Sequence, residues 1–188
     1  MRRHLFVFSG PSGVGKGTVL KRALPMLGDI TYSVSCTTRA PRPEDIEGQT
    51  YHFMTEADFR RMAEDGAFLE WAEVHGHFYG TRRDLIQAAL DSDRDVLLEI
   101  DVQGALQVKK KMPEAVMIFL QPPSQDELIR RLRSRGTETD EELDIRVKNA
   151  AAEMECAKLY DYFVINDKLE NAVEDFIKIV KEQREELQ

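Results

Sequence analysis

The sequence predicts an α/β fold in which helices cover both faces of a parallel sheet. Three observations support this prediction. Apolar runs alternate with helical patterns along most of the 188 residues, as they do where helices connect parallel strands. Residues 96–100 and 116–120 are almost continuously apolar, as strands buried on both faces are. A glycine-rich loop separates the first apolar run, residues 5–8, from the first helical pattern.

The elements follow one another in a regular order. Strands are predicted at residues 5–8, 30–34, 96–100, 116–120 and 162–165. Helices are predicted at residues 18–24, 56–65, 83–90, 125–133, 141–159 and from 169 onward. Thr55 and Ser124 supply hydroxyl groups that can cap two of these helices, and Gly66 ends the first of the two. Apolar residues after Leu169 recur at helical spacing, which indicates an amphipathic helix packed on the sheet.

One segment, residues 35–81, interrupts this order and is predicted to be an inserted subdomain. Within it, residues 37–50 are rich in proline and glycine and form a polar loop, and residues 51–53 are short and extended. The stretch from 68 to 79 suggests a small antiparallel pair of strands. We expect one domain over 1–188, with its core at 1–34, 82–130 and 147–188 and a mobile cover at 131–146.

Composition bounds the classes of partner. The net charge of −8 argues against nonspecific binding to nucleic acid or to an acidic membrane, since either needs a broad basic surface. Only four apolar residues follow the first four residues, too few for a signal peptide, and no apolar run is long enough to span a membrane. Cys36 and Cys156 lack metal-ligand spacing, so we expect reduced thiols in a cytoplasmic protein.

The glycine-rich loop has the context of a phosphate-binding P-loop. Its glycines let successive backbone N–H groups turn toward one anion, and the following helix adds partial positive charge at its N-terminus. A lysine at the end of the loop can reach the β- and γ-phosphates. The residues predicted to bind ATP here are Gly10, Pro11, Ser12, Gly13, Val14, Gly15, Lys16, Gly17 and Thr18.

The position after the lysine departs from the usual P-loop pattern. A serine or threonine normally stands there and holds Mg²⁺, but this chain has Gly17, and Thr18 comes one residue later. A hydroxyl shifted by one helical position can contact a phosphate, or reach the metal through water. We therefore expect Mg²⁺ to be bound with ATP, with Thr18 as a ligand that acts through water.

A second anion site is predicted at residues 35–42. Arg39 and Arg42 are three residues apart and are stiffened by neighbouring prolines, so their planar guanidinium groups can converge on one phosphate. Tyr51 and Tyr79 offer hydroxyl groups without adding charge. A solvated arginine loop is the alternative for this segment taken alone.

Taken together, these motifs resemble the guanylate kinase family. The resemblance covers essentially the whole chain, in the family's order. The matching segments are residues 35–42, 48–53, 68–71, 79–81, 99–104 and 135–138, with the P-loop before them. It implies a P-loop nucleoside monophosphate kinase fold: a parallel sheet flanked by helices, a GMP-binding lobe at 35–81 and a helical lid at 131–146. The implied reaction is ATP plus GMP, or dGMP, giving ADP plus GDP with Mg²⁺.

The resemblance implies a GMP site, and the chemistry of guanine explains why that site would contain a carboxylate. By resemblance, Arg39, Arg42, Tyr51 and Tyr79 hold the phosphate. A carboxylate such as Glu70 can accept both guanine donors, N1–H and the 2-amino group, whereas adenine would leave it buried and unpaired. Alone, Glu70 would more often be a strand carboxylate facing water. The GMP-binding set is Ser35, Arg39, Arg42, Tyr51, Glu70, Tyr79, Thr81, Glu99 and Asp101.

Within that set, Ser35 and Thr81 are expected to contact the purine, Thr81 at O6. Glu99 and Asp101 alternate along one predicted strand, so their side chains should share a face at its carboxyl end. The resemblance places them between the nucleotides, where they contact GMP, orient the arginines or hold metal-bound water. Capping of a helix is the alternative for Asp101.

The resemblance also implies arginines that close over the phosphates. Arg135 and Arg146 take this role, with Arg131 as an ATP contact, and Asn166 lies on the adenine side. Arginines in this position act as fingers supplied within the chain, neutralising charge on the transferring phosphoryl group. The predicted catalytic set is therefore Lys16, Arg39, Arg135 and Arg146.

Three other functions remain open at this point. A non-enzymatic, peptide-binding module of the same fold would be expected to have a degraded P-loop, whereas Lys16 is present. A kinase acting on a sugar phosphate would have no use for Glu70 with Thr81. A generic P-loop ATPase would leave the motifs of residues 35–81 unexplained. Partners are thus expected to be ATP and GMP or dGMP, with no nucleic acid and no membrane.

Overall fold

The structure is a computed structural model that describes residues 3–74, 76–133 and 140–185. Its strands are β1 Leu5–Ser9, β2 Ile30–Ser33, β3 Cys36–Thr37, β4 His52–Phe53, β5 Phe68–Val74, β6 His77–Arg82, β7 Asp95–Glu99, β8 Val116–Gln121 and β9 Tyr162–Ile165. Its helices are α1 Lys16–Ala23, α2 Glu56–Glu64, α3 Arg83–Asp91, α4 Val102–Lys111, α5 Gln125–Arg133, α6 Asp140–Glu155 and α7 Leu169–Glu185. Two short 3₁₀ helices, Leu24–Met26 and Cys156–Leu159, follow α1 and α6.

The main sheet has five parallel strands in the order β2-β7-β1-β8-β9. This confirms the predicted α/β fold with a parallel sheet. β1 lies in the centre, between β7 and β8, and the chain crosses from one side of β1 to the other after β7. The loops that follow β1 and β7 therefore meet at a topological switch point, the place where open parallel sheets bind ligands.

Both faces of the main sheet are buried. Phe6 and Phe8 of β1 pack in one apolar cluster with α1, α5 and α7, whereas Leu5 and Val7 pack in a second cluster with α3 and α4. Successive strand residues point to opposite faces, so a strand covered on both sides must be apolar throughout. This explains why the strand runs in the sequence do not alternate with polar residues.

A second, mixed sheet in the order β4-β3-β6-β5 lies in the segment that interrupts the main fold. β5 and β6 are antiparallel, as predicted, and β3 pairs in parallel with β4. A separate apolar cluster, Cys36, Phe59, Phe68 and Phe78, fills the space between this sheet and α2. We call residues 36–82 the small lobe.

Helix starts agree with the hydroxyl caps expected from the sequence. The Thr55 hydroxyl accepts a hydrogen bond from the Asp58 N–H at 3.1 Å at the start of α2. The Ser124 hydroxyl accepts one from the Glu127 N–H at 3.2 Å at the start of α5. The predicted helix at 141–159 is α6 followed by a 3₁₀ turn.

The region after β7 differs from the expectation. β7 ends at Glu99, so Asp101 lies beyond the strand and not on it, and the two carboxylates do not alternate along one strand. Asp101 is the N-cap of α4, a helix that was not predicted from the sequence, and its Oδ1 accepts the N–H groups of Gln103 and Gly104 at 2.7 and 3.1 Å. Capping, the alternative considered for Asp101, is therefore present.

The structure also bears on the cysteines and on membrane-spanning helices. Cys36 and Cys156 are both free thiols, as expected. Among the described helices, none combines the length and apolar character needed to cross a membrane.

Candidate active site

The loop between β1 and α1 has the geometry of an anion cradle. Gly15, the residue before α1, has φ of 99°, and a Cβ atom there would lie only 2.7 Å from Asn166 Nδ2. Val14 is fully buried and anchors the loop in the core. The Lys16 ammonium group donates to the Gly10 carbonyl at 2.7 Å, so this cation lies within the loop.

Two residues predicted to contact ATP, Asn166 and Arg131, are connected to this loop by hydrogen bonds. Asn166 Nδ2 donates to the Val14 carbonyl at 2.7 Å and is buried. Arg131, on α5, donates through Nη2 to the Asn166 carbonyl at 2.9 Å and through Nε to Glu127 at 2.7 Å. The structure thus ties Arg131 and Asn166 to the loop, and their contact with ATP stays a prediction.

Helix α6 brings one cation and one carboxylate to the loop. Arg146 Nη2 donates to the Ser12 hydroxyl at 2.9 Å, and the Ser12 N–H donates to Glu153 Oε2 at 3.3 Å. Burial raises the pKa of Glu153, and the nearby Lys16 opposes that rise. Arg146 therefore reaches the phosphate loop, whereas Arg135 lies outside the described residues.

The paired arginines of the small lobe are organised by an acid that the sequence did not single out. Arg39 Nη2 donates to Asp45 Oδ2 at 2.8 Å, and the Arg42 backbone N–H donates to the same oxygen at 2.7 Å. The Arg39 guanidinium also lies 5.3 Å from the Tyr51 ring centroid. Asp45 thus fixes the loop and one of the two guanidinium groups.

The two tyrosines of the predicted phosphate site lie side by side. The ring centroids of Tyr51 and Tyr79 are 5.8 Å apart in an edge-on arrangement. Burial, with smaller contributions from Tyr79 and Glu99, raises the pKa of Tyr51 to about 12. Tyr51 therefore stays a neutral hydrogen-bond donor at neutral pH, as the predicted phosphate site requires.

Glu70 is a buried acid and does not face water. Its residue is 2% exposed, and its Oε1 accepts the Thr81 hydroxyl at 2.5 Å. Desolvation by burial raises the pKa of Glu70 to about 7, while the Thr81 hydrogen bond lowers it in part. Thr81 itself is fully buried and supports Glu70, so its contact with purine O6 stays a prediction.

Glu99 lies at the carboxyl end of β7, beside the P-loop helix. The Tyr32 hydroxyl, from β2, donates to Glu99 Oε2 at 3.0 Å. A Cβ atom at Gly17 would be 3.6 Å from Glu99 Oε1, so the carboxylate lies next to the position where P-loops usually place a hydroxyl. Thr18 is exposed on α1.

One cavity of about 1310 Å³ joins these groups. The predicted site residues in its wall are Gly10, Ser12, Lys16, Ser35, Arg39, Arg42, Tyr51, Glu70, Tyr79, Glu99, Asp101 and Arg146. The predicted site residues outside the lining that we describe are Pro11, Gly13, Val14, Gly15, Gly17, Thr18, Thr81, Arg131 and Asn166. The phosphate loop and the arginine pair therefore open into the same space.

Comparison with known proteins agrees with this arrangement. The family model for guanylate kinase matches residues 2–183. The chain belongs to the guanylate kinase family. A guanylate kinase of Thermus thermophilus is 50% identical over 184 residues, covering 98% of this chain and 83% of the relative. That of Thermotoga maritima is 46% identical over 184 residues, covering 98% and 89%.

A solved guanylate kinase structure confirms the fold. The crystal structure of the enzyme from Anaplasma phagocytophilum superposes with a TM-score of 0.81 at 35% identity, covering 96% of this chain and 86% of that one. The predicted P-loop kinase fold with an added small sheet is therefore present. Guanylate kinase activity, phosphoryl transfer from ATP to GMP, follows from this membership over nearly the whole chain.

Among the residues that line the cavity but were not predicted as site residues, three hydrogen-bond to a predicted one. Tyr32 bonds to Glu99, Asp45 to Arg39 in its own loop, and Glu153 to the Ser12 N–H. The Pro-Glu-Asp run offered a local signal for Asp45, because an acid three residues after Arg42 can close a turn on its N–H. Tyr32 and Glu153 carry no such local signal, since their partners are distant in sequence.

Proposed function

We propose that the chain transfers the γ-phosphoryl group of ATP to GMP or dGMP across this cavity. The observation that carries the proposal is that one cavity wall contains both the phosphate loop with Lys16 and the Arg39–Arg42 pair. In a protein of net charge −8, local basic groups must bind the two anions. An oxygen of the GMP phosphate attacks the γ-phosphorus, and the bond to the β–γ bridging oxygen breaks, leaving ADP.

Guanine recognition is assigned to Glu70. Its carboxylate lies in the cavity wall and has one oxygen bonded to Thr81, which orients the group. Guanine presents two adjacent donors to such a group, and adenine does not. A buried acceptor left unpaired costs about 1–3 kcal/mol, or more when charged, which is enough for strong discrimination against AMP.

The GMP phosphate is assigned to Arg39, Arg42, Tyr51 and Tyr79, and Ser35, which lines the same cavity, is assigned to the purine. Asp45 already bonds Arg39 and the Arg42 backbone, so one guanidinium is oriented before the substrate arrives. Planar guanidinium groups can bind phosphate oxygens in pairs, and the neutral tyrosine hydroxyls add donors without further charge.

Stabilisation of the transferring group is assigned to Lys16, Arg39, Arg146 and Arg135. Lys16 and Arg146 both reach the phosphate loop, whereas Arg135 enters this proposal on its sequence motif alone. The attacking phosphate oxygen is already anionic, so no general base is needed. Catalysis then consists of alignment and charge stabilisation in a closed site.

Magnesium is proposed to accompany ATP, with Glu99 and Asp101 as the candidate acids near it. Carboxylate oxygens and water are ligands that Mg²⁺ prefers, and both acids line the cavity beside the loop. The absent side chain at Gly17 leaves room for water next to Glu99. Held near these acids, the metal would supply positive charge that offsets the negative charge of the phosphates. Thr18 is the weaker candidate because it is exposed on α1.

A cytoplasmic location is part of the proposal. The two thiols are free, and burial raises the pKa of Cys36 to about 11, so this thiol stays protonated and unreactive. A protein that works in a reducing compartment needs no disulfide.

An acceptor panel tests the proposal. ADP release is measured with ATP, Mg²⁺ and each of GMP, dGMP, AMP, CMP, UMP and ribose 5-phosphate. We expect turnover with GMP and dGMP to be at least about 100-fold above that with the other acceptors, because only guanine can donate two hydrogen bonds to the Glu70 carboxylate. Equal turnover with AMP would contradict the role of Glu70, and turnover with ribose 5-phosphate would favour a sugar-phosphate kinase.

A further inference from the structure

Helix α4 contains a glycine that its backbone does not require. Gly104 lies in the first turn of α4, is buried, and is absent from the glycines with positive φ. Alanine would be the better helix former at such a position. A glycine here therefore needs an explanation outside the helix.

The explanation lies in the neighbouring strand. A Cβ atom at position 104 would overlap Glu70 Oε2 and would lie 3.0 Å from Glu70 Cδ. The carboxylate of Glu70 thus occupies the space that any side chain at position 104 would fill. Its other oxygen, Oε1, is bonded to the Thr81 hydroxyl on β6.

The backbones of α4 and β5 cannot separate easily, so a side chain at position 104 would displace the Glu70 carboxylate. Gln107 joins α4 to β5 through its Nε2, which donates to the Trp71 carbonyl at 2.7 Å, and Lys111 donates to the Leu69 carbonyl at 2.5 Å. These two bonds fix α4 to the strand residues on either side of Glu70. The start of α4 is held by the Asp101 cap.

We propose that Gly104 is a positioning residue for guanine recognition. Because glycine has no side chain, it leaves the space that the Glu70 carboxylate occupies. The proposal rests on the proposed role of Glu70 as the group that accepts N1–H and the 2-amino group. With alanine at position 104, the carboxylate would be pushed from α4 and would lose its alignment with the two donors. Guanine recognition would weaken while the ATP site stayed intact.

The first test is Gly104→Ala, assayed with GMP and with inosine monophosphate, which lacks the 2-amino group. We expect KM for GMP to rise about tenfold or more, as overpacking at a fixed site does. The preference for GMP over inosine monophosphate should fall by a smaller factor, because both acceptors offer N1–H and only GMP offers the 2-amino group; KM for ATP should change less than about twofold. Gln103→Ala, an exposed change in the same helical turn, is the control and should leave all three values unchanged.

The second test uses a shorter acid. Glu70→Asp withdraws the carboxylate from α4 by one methylene, so adding Gly104→Ala to it should change KM for GMP by less than about twofold. This comparison also serves if Gly104→Ala alone does not fold, since the double variant should then fold. If the effects of the two changes simply add, or if the double variant fails to fold as well, the proposal is wrong.

Other outcomes are equally decisive. Unchanged GMP preference in Gly104→Ala would show that Gly104 does not position Glu70. An equal loss of kcat with both acceptors at unaltered KM would show the same. Glu70→Gln separates this result from a failure of the proposed function. If Glu70→Gln reduces the GMP preference and Gly104→Ala does not, only the positioning role falls. If Glu70→Gln has no effect, both proposals fall.

Discussion

At the scale of single residues, Glu70 shows how burial gives an ordinary acid a specific task. Its motif identified it as the group that binds guanine, but its hydrogen bond to Thr81 and its close packing on Gly104 could not be predicted, because both depend on how β5, β6 and α4 pack. Asp101 on the same side raises its pKa further, and Lys111 lowers it. The carboxyl group therefore titrates where an exposed glutamate would be fully ionised.

This titration predicts a pH dependence of GMP binding. The pKa of Glu70 is about 7 in the free protein, so the carboxyl is protonated below that pH and ionised above it. Two guanine donors require the ionised form. GMP affinity should therefore rise as pH rises from about 5, by up to about tenfold per unit, and level off above about 7. Calorimetric titration between about pH 5 and pH 8.5 measures it.

The control for this prediction is Glu70→Gln. The GMP phosphate itself titrates with a pKa of about 6, and any change it causes will persist in the variant. The difference between the two profiles belongs to the carboxyl group. Identical profiles for the unsubstituted protein and the Glu70→Gln variant would contradict the prediction.

Lys16 carries a second prediction at this scale. Lys16→Ala should lower kcat by about 100-fold or more, as loss of one charge-stabilising donor does, and should leave the Kd for GMP within about twofold. Steady-state kinetics and GMP calorimetry separate the two quantities. Lys21→Ala, an exposed change on the same helix, should be silent. If Lys16→Ala also weakened GMP binding, the lysine would contact GMP, and its assignment to the ATP phosphates would be wrong.

At the scale of elements, the sequence predicted all five main strands and missed one helix. The strands were predictable because burial on both faces leaves continuous apolar runs. Helix α4 was missed because Gly104 interrupts its pattern: Val102, Ala105 and Val108 lie on its buried face, with a poor helix former among them. The same close contact with Glu70 that makes glycine necessary thus hid the helix from the sequence.

The Asp101 cap allows its structural and chemical roles to be separated. Asparagine caps helices as well as aspartate does, whereas alanine loses the cap at a cost of about 0.5–2 kcal/mol. Asp101→Asn should therefore keep the thermal midpoint but lower kcat, because the charge is gone. Asp101→Ala should lower both. Calorimetric unfolding and kinetics check this; full activity of Asp101→Asn would leave the residue only its capping role.

At the scale of the whole molecule, the last helix is fastened to the start of the main sheet. The side chain of Asp95, buried at the start of β7, accepts the His4 N–H at 2.9 Å and Arg184 Nε at 2.7 Å. Arg184 also donates to the Leu27 carbonyl at 2.7 Å. Chain segments far apart in sequence meet here, and no local pattern could have predicted the contact.

Removal of this contact should destabilise the fold. Arg184→Ala leaves the buried Asp95 carboxylate without its charged partner, and we expect a loss of about 2–3 kcal/mol in the free energy of unfolding. Arg22→Ala is the control: it breaks an exposed ion pair between α1 and Glu170 of α7, the helix that also contains Arg184. This change should cost less than about 1 kcal/mol. Urea unfolding of both variants measures the two losses. Equal losses would mean that burial of Asp95 does not matter.

The separate apolar cluster of the small lobe has a consequence for how the protein opens. Cys36, Phe59, Phe68 and Phe78 form a core separate from the two main clusters, so we expect the lobe to unfold locally, once its contacts with α4 break, before the parallel sheet does. Amide hydrogens of β5 and β6 should then exchange with deuterium sooner than those of β1. Bound GMP, which would contact the lobe, should slow that exchange more than ATP does, so the acceptor would act as a ligand that completes the fold of its own pocket.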